Sequence, residues 1–306
     1  AGRPGVHRRA AQAPATRLRP AGLLPGRDVP HGGLDSRTTA PSSDVCGPLI
    51  GEPRLRKLTF TGSTPVGRML VEQSAEQLLR VSMELGGNAP FLVFGDADVD
   101  QAVEGAMLAK MRNIGEACTA ANRFYVHESV AEEFSAKFAA RMGALTRGKG
   151  TKKGVTVGPL IDEKARTKVT ELLDDAVARG ARVLIGGEPQ GGAGYFFQPT
   201  VLVDVPTSAR LQQEEIFGPV APITTFTTDA EAIAMANDTE FGLVAYLFTR
   251  DLDRALRPSE ALESGLVGVN AGVGPSPAER HGGATRSGRG RGAGVRGAGG
   301  GDEARR

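Results

Sequence analysis

The chain has 306 residues, 40% hydrophobic and 24% charged, enough to bury a sizeable core in one large or two medium domains. No apolar run reaches the roughly 20 residues that cross a bilayer, the first residues hold no signal-like apolar stretch, and two cysteines cannot make a disulfide framework, so the sequence reads as a soluble, cytoplasmic protein. The net charge of +2 joins unlike parts: residues 1–37 and 274–306 carry 14 Arg, no Lys and five acids, whereas 38–273 sums to −7, so basicity is confined to the ends and the body is acidic.

Residues 1–37 are rich in Arg, Pro, Ala and Gly without helical or strand periodicity and read as an unpacked tail. The run 55–60 reads as a strand entering Thr61-Gly62-Ser63; Thr64 and Pro65 then suit the N-cap and first position of a helix to about residue 79. Strands are predicted over 81–84 and 91–94, on either side of Leu85-Gly86-Gly87-Asn88, where paired glycines let the backbone turn or come close to a ligand. A helix over 98–111 leads to Cys118 in a loop, followed by a strand over 124–127 and a helix over 130–142. Beyond a Gly-rich connection at 148–158 come a helix over 162–179, a strand over 183–185 and the segment Glu214-Glu215-Ile216-Phe217-Gly218-Pro219. A strand over 220–226, a helix over 230–237 and strands near 244–248 and 266–270 complete the body, and residues 274–306, with 11 Gly, read as a second unpacked tail. Short apolar runs alternating with amphipathic stretches predict a three-layer α/β/α fold with parallel strands.

Histidine is the usual partner of a catalytic Cys or Ser. His7, His31 and His281 lie in the tails and His127 alone belongs to the body, so a Cys-His or Ser-His-Asp hydrolase, or a His/Cys metal site, has almost no material. What remains is thiol chemistry with a carboxylate as the base. Cys118 follows the polar, glycine-containing approach Arg112-Asn113-Ile114-Gly115-Glu116-Ala117, which favours partial exposure, although a lone cysteine also reads as an inert core residue. Glu84 ends an apolar strand beside two glycines, where desolvation would make it a useful base; the plain alternative is a strand-end acid in solvent. The Gly62-Ser63 turn at a strand-to-helix junction is a candidate phosphate cradle. Gly62 to Gly67 imitates a P-loop, but Arg68 and Met69 stand where that loop needs Lys and Ser or Thr, which excludes it.

Four motifs run in order along the chain: F-T-G-S at Phe60 to Ser63, E-L-G-G-N-A-P at Glu84 to Pro90, G-E-A-C at Gly115 to Cys118, and E-E-I-F-G-P-V at Glu214 to Val220. With Glu84 and Cys118 separated by 34 positions, they resemble the aldehyde dehydrogenase family. The resemblance implies Cys118 as nucleophile and Glu84 as general base. It also implies Gly62 and Ser63 on the pyrophosphate of NADP or NAD, Leu85 on the nicotinamide amide, Glu215 on the nicotinamide ribose and Phe217 near the ring. The implied reaction oxidises a small-molecule aldehyde to a carboxylic acid through a Cys118 thiohemiacetal and thioester, which Glu84 hydrolyses by activating water. R-N-I-G-E-A-C at Arg112 to Cys118, A-N-R-F-Y-V at Ala121 to Val126 and V-G-P-L-I-D at Val157 to Asp162 resemble bacterial succinate-semialdehyde dehydrogenases. In those enzymes an arginine at the Arg112 position helps hold the substrate's distal carboxylate; a structural salt bridge is the alternative. Ala120 stands where relatives often carry a second cysteine.

The resemblance covers about 38–273. On this reading 1–37 is an aberrant Arg/Pro-rich tail, 38–84 the remnant of a cofactor-binding domain, 85–265 the catalytic thiol domain, and 266–306 the end of the core followed by an aberrant Gly/Arg-rich tail. The family's oxyanion Asn and adenine-ribose Lys are not found in 1–37. Its P-F-G-G-x-K-x-S-G motif and the final strand of its homo-oligomers are not found downstream, where the chain reads Pro277-Ala278-Glu279-Arg280-His281-Gly282-Gly283. Both tails therefore read as frame-shifted translations of a GC-rich gene, and a catalytically impaired fragment is the alternative function. A nucleic-acid role through Gly288-Arg289-Gly290-Arg291-Gly292 lacks interleaved aromatics and is set aside, as are metal and membrane partners.

Overall fold

Strand residues that are apolar on both faces need cover on both sides, and this requirement organises the body of the molecule. The computed structural model describes residues 42–273, 282–283 and 286–289; 1–41 and most of 274–306, including much of the Arg-Gly run, lie outside the described residues. In chain order the elements are α1 (Ser42–Ile50), β1 (Lys57–Thr61), α2 (Thr64–Ser74), β2 (Arg80–Glu84), β3 (Ala89–Val93), α3 (Val99–Met111), β4 (Ala121–His127), α4 (Glu128–Gly143) and α5 (Glu163–Ala178). They continue with β5 (Arg182–Ile185), β6 (Thr200–Val203), α6 (Arg210–Gln213), β7 (Val220–Phe226), α7 (Asp229–Asn237), β8 (Val244–Phe248), α8 (Leu252–Ala261), β9 (Leu266–Val269) and β10 (Gly288–Arg289). Residues 1–52, which include α1, form one unit and residues 53–306 another.

The larger sheet has seven strands in the order β5-β6-β7-β4-β3-β8-β9, parallel except where β5 meets β6. Successive side chains of a strand point to opposite faces. Phe91 and Val93 of β3 accordingly join Phe124 and Val126 of β4 in one core with Ala102, Ala106, Phe134 and Phe138 of α3 and α4. Leu92, Phe94 and Tyr125 join a second core with Ala232 and Ala236 of α7 and with Leu262 just after α8. Helices thus cover both faces, the three-layer α/β/α arrangement predicted. Asp98, Asp162, Thr228 and Asp251 start α3, α5, α7 and α8 by accepting the amide of the residue three places on. No helix among the described residues is long and apolar enough to cross a membrane.

A smaller sheet holds β1, β2 and β10, with β1 parallel and β10 antiparallel to β2. Here the structure corrects the sequence reading in two places. The N-cap of α2 is Ser63, not Thr64, and the helix stops at Ser74; Leu78 takes a left-handed φ of 51° as the chain turns into β2. The end of the chain, read as unpacked after 273, contributes β10, and Ser287 is fully buried.

Candidate active site

The four motifs meet where the carboxyl ends of β1 and β2 approach the segments that enter β3, β4 and β7. Glu84 closes β2, and its carbonyl accepts the Gly62 N–H of the F-T-G-S turn at 3.0 Å. Leu85 packs against α2 so closely that a methyl group on Gly67 would overlap its side chain, and Leu85 N donates to Ser287 O at 2.8 Å. The Gly-Gly turn then brings two backbones together: a side chain on Gly87 would overlap the Cys118 carbonyl oxygen. Gly87 N donates to Glu215 Oε1 at 2.8 Å, and a Cβ on Gly86 would lie 3.0 Å from Glu215 Oε2 and 3.3 Å from Thr64 Oγ1. Close approach to a backbone carbonyl therefore requires glycine at 87, while at 86 a side chain would press on Glu215 and Thr64.

The loop that leads to Cys118 is shaped by three successive left-handed residues, Asn113 (φ 59°), Ile114 (φ 51°) and Gly115 (φ 84°). Only the last is free of steric cost, so the loop stores strain that its contacts must overcome. Asn113 Nδ2 donates to Glu116 O at 2.6 Å, and Glu116 Oε1 accepts Ile161 N at 3.2 Å. Cys118 is partly exposed. Burial, then the Glu84 and Glu215 carboxylates, push its thiol above the ordinary range; burial likewise raises Glu215. Its surroundings therefore favour the neutral thiol over the thiolate.

Arg112 is exposed and donates from Nη2 to Thr119 Oγ1 at 3.3 Å, with no carboxylate in salt-bridge contact among the described residues. Phe217, 36% exposed and left-handed at φ 53°, stands close to Glu215 in sequence at the start of the turn into β7. His127 Nδ1 caps α4 by accepting the Ser129 N–H, which is a structural role.

The residues matched by the aldehyde dehydrogenase family model are 1–299. The chain belongs to the aldehyde dehydrogenase family. It is 56% identical over 263 residues to a succinate-semialdehyde dehydrogenase of Paenarthrobacter nicotinovorans, covering 86% of this chain and 58% of that protein. A glutarate-semialdehyde dehydrogenase of Pseudomonas aeruginosa is 49% identical over 92% of this chain and 58% of its own length. The crystal structure described as an E. coli NADP dependent enzyme superposes with a TM-score of 0.82 at 51% identity, covering 84% of this chain and 53% of that one. The chain thus spans a little over half the length of the aldehyde dehydrogenases it matches.

The family match runs through both segments that sequence reasoning set apart, and the structure shows one reason at the C-terminal side. Gly282-Gly283-Ala284-Thr285-Arg286-Ser287-Gly288 keeps the spacing of the family's G-G-x-K-x-S-G, with Thr285 at the lysine position. Ser287 Oγ accepts Gly242 N at 3.1 Å, and Gly288 pairs with Glu84. The spacing of Gly and Ser was the available signal, obscured by the arginines around it. Sequence reasoning also missed Lys110, Asn122 and Arg123, which are fully buried. Arg123 donates to the carbonyls of Asn88, Met235 and Ala236 at 2.8, 3.1 and 2.9 Å and so ties the E-L-G-G-N segment to α7.

Proposed function

We propose that this chain oxidises an aldehyde ending in a carboxylate, succinate semialdehyde first, with NADP or NAD. The supporting observation is the convergence at Gly87, where one peptide meets the Cys118 backbone and the Glu215 carboxylate while Glu84 and Cys118 share an electrostatic field. Because its surroundings favour the neutral thiol, Glu84 first takes the Cys118 proton. The sulfur then adds to the aldehyde carbon to give a thiohemiacetal, and loss of hydride leaves a thioester on Cys118. Glu84, its proton released to solvent, draws a proton from water, which attacks the thioester and frees the acid and the thiol.

When bound, the nicotinamide supplies the hydride acceptor. The residues fit such a group. α2 opens with Ser63 making no side-chain cap bond, leaving N–H groups and the helix dipole for a phosphate. Thr64 Oγ1 is buried without a partner beside Gly86. Gly62 and Ser63 would hold the pyrophosphate, Leu85 the nicotinamide amide and Glu215 the ribose, with Phe217 near the ring. Arg112 would pair with the distal carboxylate; relatives named for succinate and glutarate semialdehydes support that class. In this reading 38–84 serves the nucleotide and 85–265 the thiol, in a cytoplasmic enzyme of a homo-oligomeric family whose final strand is not found in this sequence.

The test is incubation of the purified chain with succinate semialdehyde and either nucleotide, following reduced nicotinamide by absorbance beside Cys118→Ala. Turnover that vanishes in the variant is expected. Turnover that survives in Cys118→Ala overturns the mechanism, and nucleotide binding without turnover identifies an impaired member of the family.

A further inference from the structure

Lys110 of α3 is fully buried with no carboxylate in salt-bridge contact among the described residues. Its Nζ donates to Asn122 Oδ1 at 2.7 Å, and Asn122 Nδ2 faces Gly87 O at 3.4 Å. Elsewhere on the same glycine, Gly87 N donates to Glu215 Oε1 at 2.8 Å. The lysine stem also runs beneath the nucleophile loop: a Cβ on Gly115 would lie 3.3 Å from Lys110 Cε and would overlap the carbonyl of Gly218. Lys110 thus lies directly beneath the Cys118 loop and reaches the Gly-Gly turn, whose Gly87 N–H holds Glu215, through Asn122.

A buried ammonium with one amide acceptor is expensive, and a methionine would fill the same space at lower cost. We propose that Lys110 is a positioning residue that fixes the Gly-Gly turn through Asn122 and governs the carboxylate that Glu215 presents to its ligand. Burial pulls the Lys110 ammonium down to about 7, with Glu215 acting in the opposite direction. The charged and titratable groups facing Glu215 are Lys110 from α3, Lys168 from α5 and Cys118 from the nucleophile loop, while Glu84 acts on Cys118 from β2. The protonated lysine opposes the burial that raises Glu215, and this support fades as pH rises past about 7 and the lysine loses its charge. Lys110 therefore extends the range in which Glu215 is an acceptor toward acid.

This inference rests on the nucleotide role proposed for Glu215, and the experiment separates the two. NADP affinity is measured by fluorescence titration from pH 6 to 9 for the full chain, Lys110→Met and Lys110→Gln; the glutamine retains a donor for Asn122 without the charge. Melting midpoints over the same range are taken for these variants, Glu215→Gln and the Lys110→Met/Glu215→Gln pair. The expected result is NADP binding weaker at pH 6 in both Lys110 variants, by up to about tenfold for each unit by which the Glu215 carboxyl rises, converging with the parent by pH 9. The Lys110 and Glu215 substitutions are expected to be non-additive in melting at pH 6 and additive at pH 9. Additive effects at every pH, or NADP affinities that fall equally at pH 6 and 9, overturn the inference and leave Lys110 a packing residue. A parent chain that fails to bind NADP but shows the coupling refutes the nucleotide reading alone.

Discussion

At the carboxyl edge of the large sheet, Asp96 accepts bonds from Thr249 Oγ1, Arg250 N, Asp251 N and Arg254 Nη1, all at 2.8 to 3.0 Å. At the amino edge, Gly87 and Gly115 bring backbone against backbone. Ligands of open α/β sheets commonly sit at the carboxyl edge, where loops after the strands diverge. Here those loops are fastened together: Arg250 pairs with Asp98, Arg254 with both Asp96 and Asp229, and Asn270 bonds both Thr249 backbone groups. The Asp96 carboxyl shows the balance of forces. Burial works to raise it, but bonds from Thr249, Arg250 N and Arg254 together hold it below the ordinary carboxylate range. Side-chain bonding closes one edge, whereas glycine leaves the other able to admit chemistry.

Substitutions can test this division. The largest effect is expected from Gly87→Ala, whose methyl group must displace the Cys118 carbonyl; with Cys118 as the proposed nucleophile, a shift of about 1 Å costs on the order of 100-fold in rate, measurable as Cys118-dependent turnover. Next comes Asp96→Asn, which weakens charge-assisted bonds and is expected to cost about 2 kcal/mol in denaturant unfolding while leaving Cys118 alkylation unchanged. Because the folded Asp96 value is depressed, its stabilisation is present above the unfolded carboxylate range and is lost as pH falls through the folded value. The variant and the parent should therefore converge in acid. A smaller effect is expected at the thiol itself. Its alkylation by iodoacetamide should keep rising beyond the ordinary thiol midpoint, and Glu84→Gln should bring that midpoint down by removing a facing negative charge. The smallest is Arg182→Ala at the β5 edge, where an exposed pair with Asp204 is worth under about 1 kcal/mol. A strong effect of Asp96→Asn on alkylation would show that the edges are coupled and end the simple division.

Much of the fold was legible because period and caps agreed. Asp98 and Asp162 mark helix starts within a residue of those predicted, and the β3 and β8 runs are apolar throughout. β6, Thr200–Val203, escaped notice because a four-residue strand buried on both faces has no alternation to detect. α8 was hidden by Pro258 and by Leu252 and Leu256, which are exposed and imitate no core-facing stripe. At the site, the motif residues Gly62, Glu84, Gly87, Cys118 and Glu215 were legible, and the geometry brings them together. Lys110 and Asn122 were not, since nothing in a local window distinguishes a buried lysine on a helix from a solvated one. Their partnership exists only after α3 is laid across β4. The role of the C-terminal segment was missed for a related reason, because composition hid a spacing that only pairing with β2 makes meaningful.

That pairing has a consequence for the order of assembly. Gly288 meets Glu84 across roughly 200 intervening residues, whereas β3, β4 and α3 between them are joined by short connections. Closing so long a loop for two residues of ladder is entropically unfavourable until the intervening sheet has already drawn its ends together. The strand that ends at Glu84 therefore acquires its second neighbour last, and a ribosome-bound chain halted before Ser287 would hold a formed seven-stranded sheet beside an open β2 edge.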